Sequence, residues 1–292
     1  MPITPRPSPH EFGGDWTSQK LAVLGGYLAA YTTALQKQPF RKTYIDAFAG
    51  TGSRASRRSA DQAPLFPDME AGILDGSARS ALQSVPHFDD FVFIEQSQKR
   101  CAELEQLKDD FPSLAPAIHV QQGDANTEIQ TLCGGDWRHR RAVLFLDPYG
   151  MQVEWKTIEA VARTQAIDMW LLFPLGIGVN RLLTKSGDIP EEWRTRLDLL
   201  LGTRDWYEEF YRVERDTDLF GDQREHVVKA SMASIGGYFT RRLGEVFAGV
   251  AEPGVLRNSV SNPMYLLCFA VGNPRGRDIG LRIAGHLLKG MR

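Results

Sequence analysis

Four acidic residues stand at the ends of short apolar runs in this sequence. The acids are Asp46, Glu95, Asp124 and Asp147, and the runs are TYIDAFAGTG (43–52), FVFIE (91–95), IHVQQGDAN (118–126) and AVLFLDPYG (142–150). In open α/β sheets, ligands bind beyond the carboxyl ends of the strands, near the point where the strand order reverses. Unpaired carboxylates on one rim repel one another, so a purely structural sheet has no need of them. The pattern therefore predicts a ligand that matches an acidic rim.

The residues around these acids narrow the chemistry of that ligand. Gly50 and Gly52 allow the backbone to approach a ligand closely, and an acid in the position of Glu95 can accept both hydroxyls of a ribose. The carboxylate and amide of GDAN (123–126) can take an exocyclic amine, whereas Asp46 would face a cationic group. S-adenosylmethionine carries an adenine amine, a ribose diol, an ammonium and a sulfonium but no phosphate, which suits this set.

Simpler interpretations of the same segments stay open. GTGSRA (50–55) matches the dinucleotide pattern G-x-G-x-x-G/A, which would indicate a nicotinamide- or flavin-dependent oxidoreductase. The first strand-ending acid after it is Glu95, well beyond the spacing of about 20 residues that such sites use. Alternatively, the glycines form a plain strand-to-helix turn, Asp124 caps the next helix, and DPYG (147–150) is an ordinary β-turn.

The elements that must position these residues alternate between strands and helices. Two further apolar runs, IDMWLLFP (167–174) and PMYLLCFAVGN (263–273), read as strands. Helix-like stretches such as GSARSALQSV, QSQKRCAELEQLKDD and EWKTIEAVARTQ separate the runs. Short continuous apolar strands that alternate with helices are typical of a parallel sheet covered on both faces. We therefore predict an α/β, Rossmann-like fold with a mostly parallel central sheet.

The remaining segments predict one domain with an insertion. Residues 1–15 are Pro-rich and read as a flexible lead-in, so the domain is predicted to span 16–292. Longer helical stretches predict a helical insertion at about 175–245, and the segment 53–75 reads as a loop broken by two prolines.

Composition excludes several classes of protein. The formal net charge is -2 and the pI is about 6.3, so any contact with nucleic acid must use a local patch. Three scattered cysteines predict neither a disulfide framework nor a metal knuckle and indicate a reducing, cytoplasmic setting. The histidines lack ligand spacing, so no metal is expected. No apolar run reaches the length of a membrane span, so no membrane association is expected.

At this point the sequence resembles a known family. The order DAFAGTG, an acid after the second strand, GDAN and DPYG resembles the core of class I S-adenosylmethionine-dependent methyltransferases. More narrowly, YIDAFAGTG, FIE, GDAN, FLDPYG and LFP…NR are similar to the three-Cys-motif partner proteins (TcmP) over roughly residues 15–290. This resemblance implies a methyltransferase fold, an S-adenosylmethionine site and, as a partner, a radical-type protein with three cysteines.

The resemblance also assigns roles to individual residues. It implies a cofactor loop at Asp46, Phe48, Gly50 and Gly52, a ribose contact at Glu95, and adenine contacts at Asp124, Ala125 and Asn126. Asp147, Pro148 and Tyr149 fall where amino-methyltransferases carry (D/N/S)PP(Y/F), a motif that aligns the target amine and stacks on a flipped base. Here Tyr149 replaces the second proline and Gly150 the aromatic. We therefore keep two hypotheses, an amine methyltransferase that acts on a nucleobase of RNA or DNA, and an inactive partner protein.

Basic residues near the predicted rim complete the candidate set. Arg54 opens RASRR (54–58) beside the cofactor loop and would meet phosphate, although a solvated loop also explains it. Asn180 and Arg181 follow the fifth strand and either line the substrate pocket or cap the next helix. WRHRR (137–141) precedes the fourth strand, so a strand of about 20 Å separates it from the predicted chemistry. We interpret WRHRR as a solvated surface run.

Overall fold

The apolar runs form strands in the computed structural model, which describes residues 14–49, 74–217 and 223–291. The strands of the first half are β1 (Arg41–Ala47), β2 (Asp90–Glu95), β3 (Ile118–Gln122), β4 (Arg140–Leu146) and β5 (Ile167–Phe173). A separate hairpin comprises β6 (Tyr211–Thr217) and β7 (Gln223–Lys229). The last strands are β8 (Gly249–Val250), β9 (Gly254–Arg257) and β10 (Pro263–Val271).

Helices connect these strands along most of the described chain. They are α1 (Gly14–Ala34), α2 (Leu74–Gln83), α3 (Gln98–Glu105), α4 (Leu107–Asp110), α5 (Ala125–Cys133), α6 (Trp155–Arg163), α7 (Asn180–Leu182), α8 (Glu191–Leu201), α9 (Trp206–Phe210), α10 (Met232–Val246) and α11 (Arg277–Leu288). A π-helical turn covers Leu175–Val179, directly after β5. Short 3₁₀ turns cover Ala115–Ala117, Pro274–Gly276 and Lys289–Met291.

The sheet confirms the predicted fold class. Its strand order is β3-β2-β1-β4-β5-β10-β8, and β9 pairs with the same β10. Strands β1 to β5 are parallel, whereas β10 runs antiparallel to β5. The chain builds outward from β1 to β3 and then returns to β4 on the other side of β1. The strand order therefore reverses between β1 and β4, where open α/β sheets hold their ligands.

Two hydrophobic cores cover the two faces of this sheet. One contains buried residues of α5, α6, α8 and α10. The other contains buried residues of α1, α2 and α11, together with Leu104 and Leu107. Every residue of β2 and β5 is buried, as expected for central strands covered on both sides. The apolar runs are therefore continuous because neither side of the strand meets water.

The predicted helical insertion at about 175–245 differs from the observed structure. Two long helices were expected there, but the segment contains α7, α8, α9, the hairpin β6–β7 and α10. In the hairpin, Arg215 Nε donates to Glu225 Oε1 at 2.7 Å, and Val213 lies opposite Val227. Cross-strand pairs of this kind stabilise antiparallel strands, and they join residues that sequence periodicity cannot connect.

Some predicted features lie outside the described residues. They include residues 1–13 of the lead-in, the loop 53–73 and the cofactor-loop glycines Gly50 and Gly52, together with Arg54. Within the described ranges, no helix is long and apolar enough to cross a bilayer. The same ranges contain no group of three or more His, Cys, Asp or Glu that could hold a metal ion.

Gly202, which ends α8, provides a test of the packing of this helix against α6. Its φ is +71°, and a Cβ atom there would lie 2.1 Å from the indole ring of Trp155. We expect Gly202→Ala to lower the free energy of unfolding by about 3 kcal/mol, because it combines a left-handed backbone with overpacking. Gly237→Ala is the matched control, because the exposed Gly237 lies within α10 and its Cβ would meet nothing within 4 Å. Urea denaturation should show that only the first variant is destabilised, and equal midpoints would contradict the packing.

Candidate functional site

The reversal of strand order brings two of the predicted acids together. Asp46 lies near the end of β1, opposite Phe145 of β4, and Asp147 follows the last residue of β4. Asp147 is close enough to raise the pKa of Asp46 electrostatically. The two carboxylates therefore flank the crevice at which the sheet geometry predicts a ligand.

The Asp46 side chain is buried, although it is ionisable. Only 1% of Asp46 is exposed, and Tyr44 Oη donates to its Oδ2 at 3.0 Å. Burial raises the pKa of Asp46 to about 7, although hydrogen bonds from Ser77 and Tyr44 lower it in part. Asp46 is therefore divided between its protonated and ionised forms near neutral pH, so small changes in its surroundings decide its charge.

Lys20 is the main site residue that sequence reasoning missed. It lies in α1, is only 1% exposed, and its Nζ contacts Asp147 Oδ2. The ammonium also lies 5.3 Å from the ring centroid of Trp16 and 5.8 Å from that of Phe145. A lysine is almost never buried without a partner. In the sequence, the only sign of this site was therefore that a lysine lies within the apolar face of a predicted helix.

Aromatic side chains border the Lys20–Asp147 contact. Tyr265 of β10 stacks on Trp16 with ring centroids 5.5 Å apart. Burial raises the pKa of Tyr265, and the proximity of Asp147 and Tyr149 raises it further. Tyr149 is 46% exposed, so one aromatic ring faces solvent beside the acids. Sequence analysis missed Trp16 and Tyr265 because they lie far from DPYG in the chain.

DPYG forms a bend after β4. Pro148 is buried, Tyr149 N donates to Gln152 Oε1 at 3.1 Å, and Gly150 has a φ of +82°. The glycine is favoured there because other residues rarely adopt positive φ. The bend is compatible with the alternative interpretation of DPYG as an ordinary turn. It also leaves the side chain of Asp147 17% exposed, so the acid keeps access to solvent.

Glu95 ends β2 one strand away from the Asp46–Asp147 pair. Its side chain is buried, and its Oε1 accepts a hydrogen bond from Ser97 N at 2.6 Å. Burial raises the pKa of Glu95, although the Ser97 hydrogen bond and Arg100 oppose this. One carboxylate oxygen is thus fixed by the backbone, which holds the side chain at the rim of the sheet.

Residues of GDAN have defined structural roles after β3. Asp124 is the N-cap of α5, and its Oδ1 accepts hydrogen bonds from Thr127 N and Thr127 Oγ1, both at 3.0 Å. Asn126 is buried and fixes the chain that follows DPYG. Its Nδ2 donates to Gln152 O at 2.9 Å, and its Oδ1 accepts from Glu154 N at 3.0 Å. Ala125 is buried as the first residue of α5. An adenine contact at these residues stays a prediction.

Phe48 turns the chain as it leaves β1. Its φ is +65°, a left-handed conformation that costs a non-glycine residue about 1–2 kcal/mol. Ala49 N then donates to Ile94 O at 3.1 Å, which keeps the backbone beside β2. Strained conformations persist where the surroundings enforce them, and they cluster at functional sites. The turn leads directly into the predicted cofactor loop. The first described range ends at residue 49, just before that loop.

Asn180 and Arg181 begin α7, after the π-helical turn that follows β5. Lys229 Nζ donates to Asn180 O and to Leu183 O, both at 2.7 Å, so the hairpin holds this short helix. The turn packs closely, because a Cβ atom at Gly176 would lie 2.1 Å from Pro263 O. Asn180 is half-buried and Arg181 is exposed. A contact of these two residues with a substrate stays a prediction.

The known proteins that resemble this chain in structure are distant from it in sequence. No protein-family model and no curated protein matches the chain. Among solved structures, a Legionella pneumophila str. Philadelphia 1 protein described under the family model DUF519 is 12% identical, with a TM-score of 0.49, and covers 96% of this chain and 93% of its own. A putative methyltransferase from Escherichia coli is 13% identical, with a TM-score of 0.31, over 76% of this chain and 90% of its own.

A third solved structure is the plantazolicin methyltransferase BpumL, in complex with SAH. It is 11% identical, with a TM-score of 0.31, over 88% of this chain and 85% of its own. Two of these three structures are thus described as methyltransferases. Identities this low and TM-scores below 0.5 assign neither a family nor an activity, so the fold class rests on the strand order itself. Membership of the three-Cys-motif partner family stays a prediction.

The raised pKa of Asp46 predicts a pH-dependent stability. The carboxyl group of Asp46 releases its proton near pH 4 in the unfolded chain and near pH 7 in the folded chain. The free energy of unfolding therefore falls as pH rises through that range. We expect Asp46→Asn to gain stability relative to the wild type as pH rises from 5 to 8, by about 2–4 kcal/mol in total. Urea denaturation at several pH values measures this difference. Asp109→Asn, at an exposed position of α4, should show no such trend, and a pH-independent effect of Asp46→Asn would contradict the burial.

A double-mutant cycle tests the Lys20–Asp147 contact. Lys20→Met leaves a partly buried carboxylate without its cation, so we expect the free energy of unfolding to fall by about 3 kcal/mol at pH 8. Lys20→Met combined with Asp147→Asn removes both charges and should be more stable than Lys20→Met alone. Asp147→Asn alone completes the cycle, and a coupling energy near zero would mean that the two charges do not interact in solution.

Proposed function

We propose that this chain is an S-adenosylmethionine-dependent methyltransferase that transfers a methyl group to an amine. The observation that carries the proposal is the Lys20–Asp147 contact at the reversal of strand order. Lys20 holds Oδ2 of Asp147, and no donor within the described ranges is bonded to Oδ1. A fixed, anionic oxygen at the rim of the sheet is the acceptor that an amine N–H requires.

The donor set at the rim supports the choice of cofactor. Glu95 offers its Oε2 to a ribose hydroxyl while Ser97 N holds Oε1. Asp46 lies beside Asp147, where a carboxylate would face the ammonium or sulfonium of the methionine part. Phe48, Gly50, Gly52, Asp124, Ala125 and Asn126 are proposed to complete the adenosine contacts. When bound, S-adenosylmethionine supplies a methyl group on a positively charged sulfur.

The residues of the chain would act by orientation and proton acceptance. Asp147 Oδ1 accepts a hydrogen bond from the substrate amine, which directs the nitrogen lone pair at the methyl carbon. Bound S-adenosylmethionine would supply the methyl group and would keep the electron pair of its former bond, so the methylated nitrogen would be left with a proton to lose. Asp147 then takes the proton of the amine and passes it to solvent through its exposed edge, while Lys20 keeps the carboxylate in place.

The aromatic border supports a planar amine as substrate. The motif DPYG lacks the aromatic residue that follows two prolines in amino-methyltransferases, but Tyr149, half-exposed beside Asp147, offers a ring nearby. We therefore propose a nucleobase of RNA or DNA as the methyl acceptor. Arg181 is exposed at the same rim and is proposed, with Asn180 and Arg54, to contact the rest of the substrate. The net charge of -2 requires that such contacts be local.

One observation also supports the second candidate function. Because Lys20 already neutralises Asp147, the acid that would orient an amine has a permanent partner. A methyltransferase-fold protein that binds a radical-type three-cysteine protein, without transferring methyl groups, would tolerate this pairing. Co-purification with such a partner, together with no methyl transfer from labelled cofactor to RNA, DNA or protein, would favour this candidate.

The cysteines support a proposal about location. Cys101, Cys133 and Cys268 are all free thiols. Burial raises the pKa of the Cys133 thiol to about 12, so it stays protonated at neutral pH. Unpaired cysteines are typical of reducing compartments, and we propose a cytoplasmic location on that ground.

Titration with S-adenosylhomocysteine and a methyl-transfer assay test the proposed function together. Wild-type protein should bind S-adenosylhomocysteine saturably, and Glu95→Gln should bind about tenfold more weakly, because it loses a charged hydrogen-bond acceptor. Asp147→Asn should bind normally but transfer labelled methyl groups to cellular RNA, DNA or protein fractions at least about 100-fold more slowly. Glu192→Gln, at an exposed acid of α8, is the matched control and should change neither property.

The outcomes separate the parts of the proposal. Absence of binding by the wild type would remove the cofactor assignment. Normal binding without methyl transfer to any fraction would favour the inactive partner. Binding of a nicotinamide or flavin in place of S-adenosylhomocysteine, visible in the absorbance of the purified protein, would support the oxidoreductase alternative.

A further inference from the structure

A cavity lies at the edge of the sheet opposite the candidate site. Its volume is about 720 Å³, and it is lined by the C-terminal ends of α5 and α6 and by the turn after β10. Because β10 is antiparallel to β5, the end of β10 reaches the edge at which β4 and β5 begin. Strand β4, with seven residues, spans about 20 Å. The cavity is therefore separate from the proposed methyl-transfer site.

Four arginines line this cavity, and no carboxylate does so among the described residues. They are Arg138, Arg141, Arg163 and Arg275. Two of them come from WRHRR, the run that sequence analysis interpreted as a solvated surface. The other two come from the end of α6 and from the turn after β10. The fold thus gathers one type of charge from three separate segments.

Arg141 is fixed from behind. Its NH1 donates to Trp137 O at 3.2 Å and to Arg140 O at 2.6 Å, and its guanidinium lies 3.9 Å from the ring centroid of Phe40. Its Nε is buried without a hydrogen-bond partner. The buried Asp168 lies within electrostatic reach and matches part of this charge. A held guanidinium with an unused donor is a preorganised part of a site.

The remaining arginines differ in how their charges are matched. Arg138 is paired with Asp136, through an Nε–Oδ1 distance of 3.0 Å and an NH2–Oδ2 distance of 2.6 Å. Arg163 and Arg275 are exposed and form no ion pair with any described acid. Cys133, also in the lining, stays a neutral thiol because burial raises its pKa to about 12. The cavity therefore keeps an excess of positive charge.

A structural explanation covers only part of this arrangement. Arg163 lies in the last turn of α6, where a cation stabilises the negative end of the helix dipole. That interaction does not account for Arg275, which lies in the turn after a strand, or for the unused donor of Arg141. Separate dipole contacts also do not require that the arginines share one cavity.

We propose that this cavity binds a small molecule with two or more phosphate groups. Guanidinium groups are the preferred partners of phosphate oxygens because their planar donors match them in pairs. A volume of about 720 Å³ falls in the range of small-molecule sites. The net charge of -2 favours a compact anion over a long nucleic acid, which needs basic residues spread over a surface. The proposal does not depend on the proposed methyl transfer.

Calorimetric titration with defined anions tests this site. At fixed ionic strength, pyrophosphate and ATP should bind saturably and at least about tenfold more tightly than inorganic phosphate. Arg163→Gln combined with Arg275→Gln should weaken both by at least about tenfold, because two charged donors are lost. The matched control combines Arg212→Gln with Arg282→Gln, which removes two exposed arginines outside the cavity. Both double variants should keep an unfolding midpoint close to that of the wild type, since all four positions are exposed and one cation at a helix end contributes little to stability.

Three outcomes would overturn the proposal. The first is no saturable binding of pyrophosphate or ATP by the wild type. The second is equal weakening in both double variants, which would mean that only the overall charge matters. The third is binding of a single-stranded RNA 12-mer that depends on Arg163 and Arg275 while pyrophosphate and ATP do not bind, which would make the cavity part of a nucleic-acid surface.

Discussion

The contact between Lys20 and Asp147 fixes the first helix to the functional edge of the sheet. A buried ammonium is stable only beside a compensating charge, so α1 can pack on the sheet in few other positions. A second polar contact lies two turns further along the same helix, where Tyr27 Oη donates to Asp168 Oδ2 at 2.7 Å. Lys20 and Tyr27 lie on one face of α1 because seven residues make nearly two turns. The helix is thus held by an acid beyond β4 and by another in β5.

The strands and the acidic rim could be predicted from the sequence because their signals are local. Each parallel strand is buried on both sides and therefore appears as a continuous apolar run, such as FVFIE at β2. The chain leaves each run through polar or small residues, which marks the carboxyl edge. Parallel connections then bring all these ends to one side. The position of Asp46 beside Asp147 follows from that rule and from the strand order.

The features that sequence analysis missed depend on contacts between distant residues. Lys20 lies in an apolar helix, and nothing nearby in sequence shows that its partner is Asp147. The hairpin segments YRVERDT and QREHVVK contain residues that favour helices, but in the folded chain the two segments pair with each other as antiparallel strands. WRHRR was placed at the correct end of β4, but its cavity requires Arg163 and Arg275, which only the folded chain brings near.

Strand β10 links the two edges of the molecule. It runs from Tyr265, beside the Lys20–Asp147 contact, to the turn at Asn273–Arg275 in the arginine cavity. Its residues from Met264 to Val271 are all buried, and hydrogen bonds to β5 on one side and to β8 and β9 on the other fix its length. These hydrogen bonds hold the residues of the strand at fixed spacings from one another. Any sliding of β10 past β5 would therefore displace the aromatic border and the arginine turn by the same distance and in the same direction.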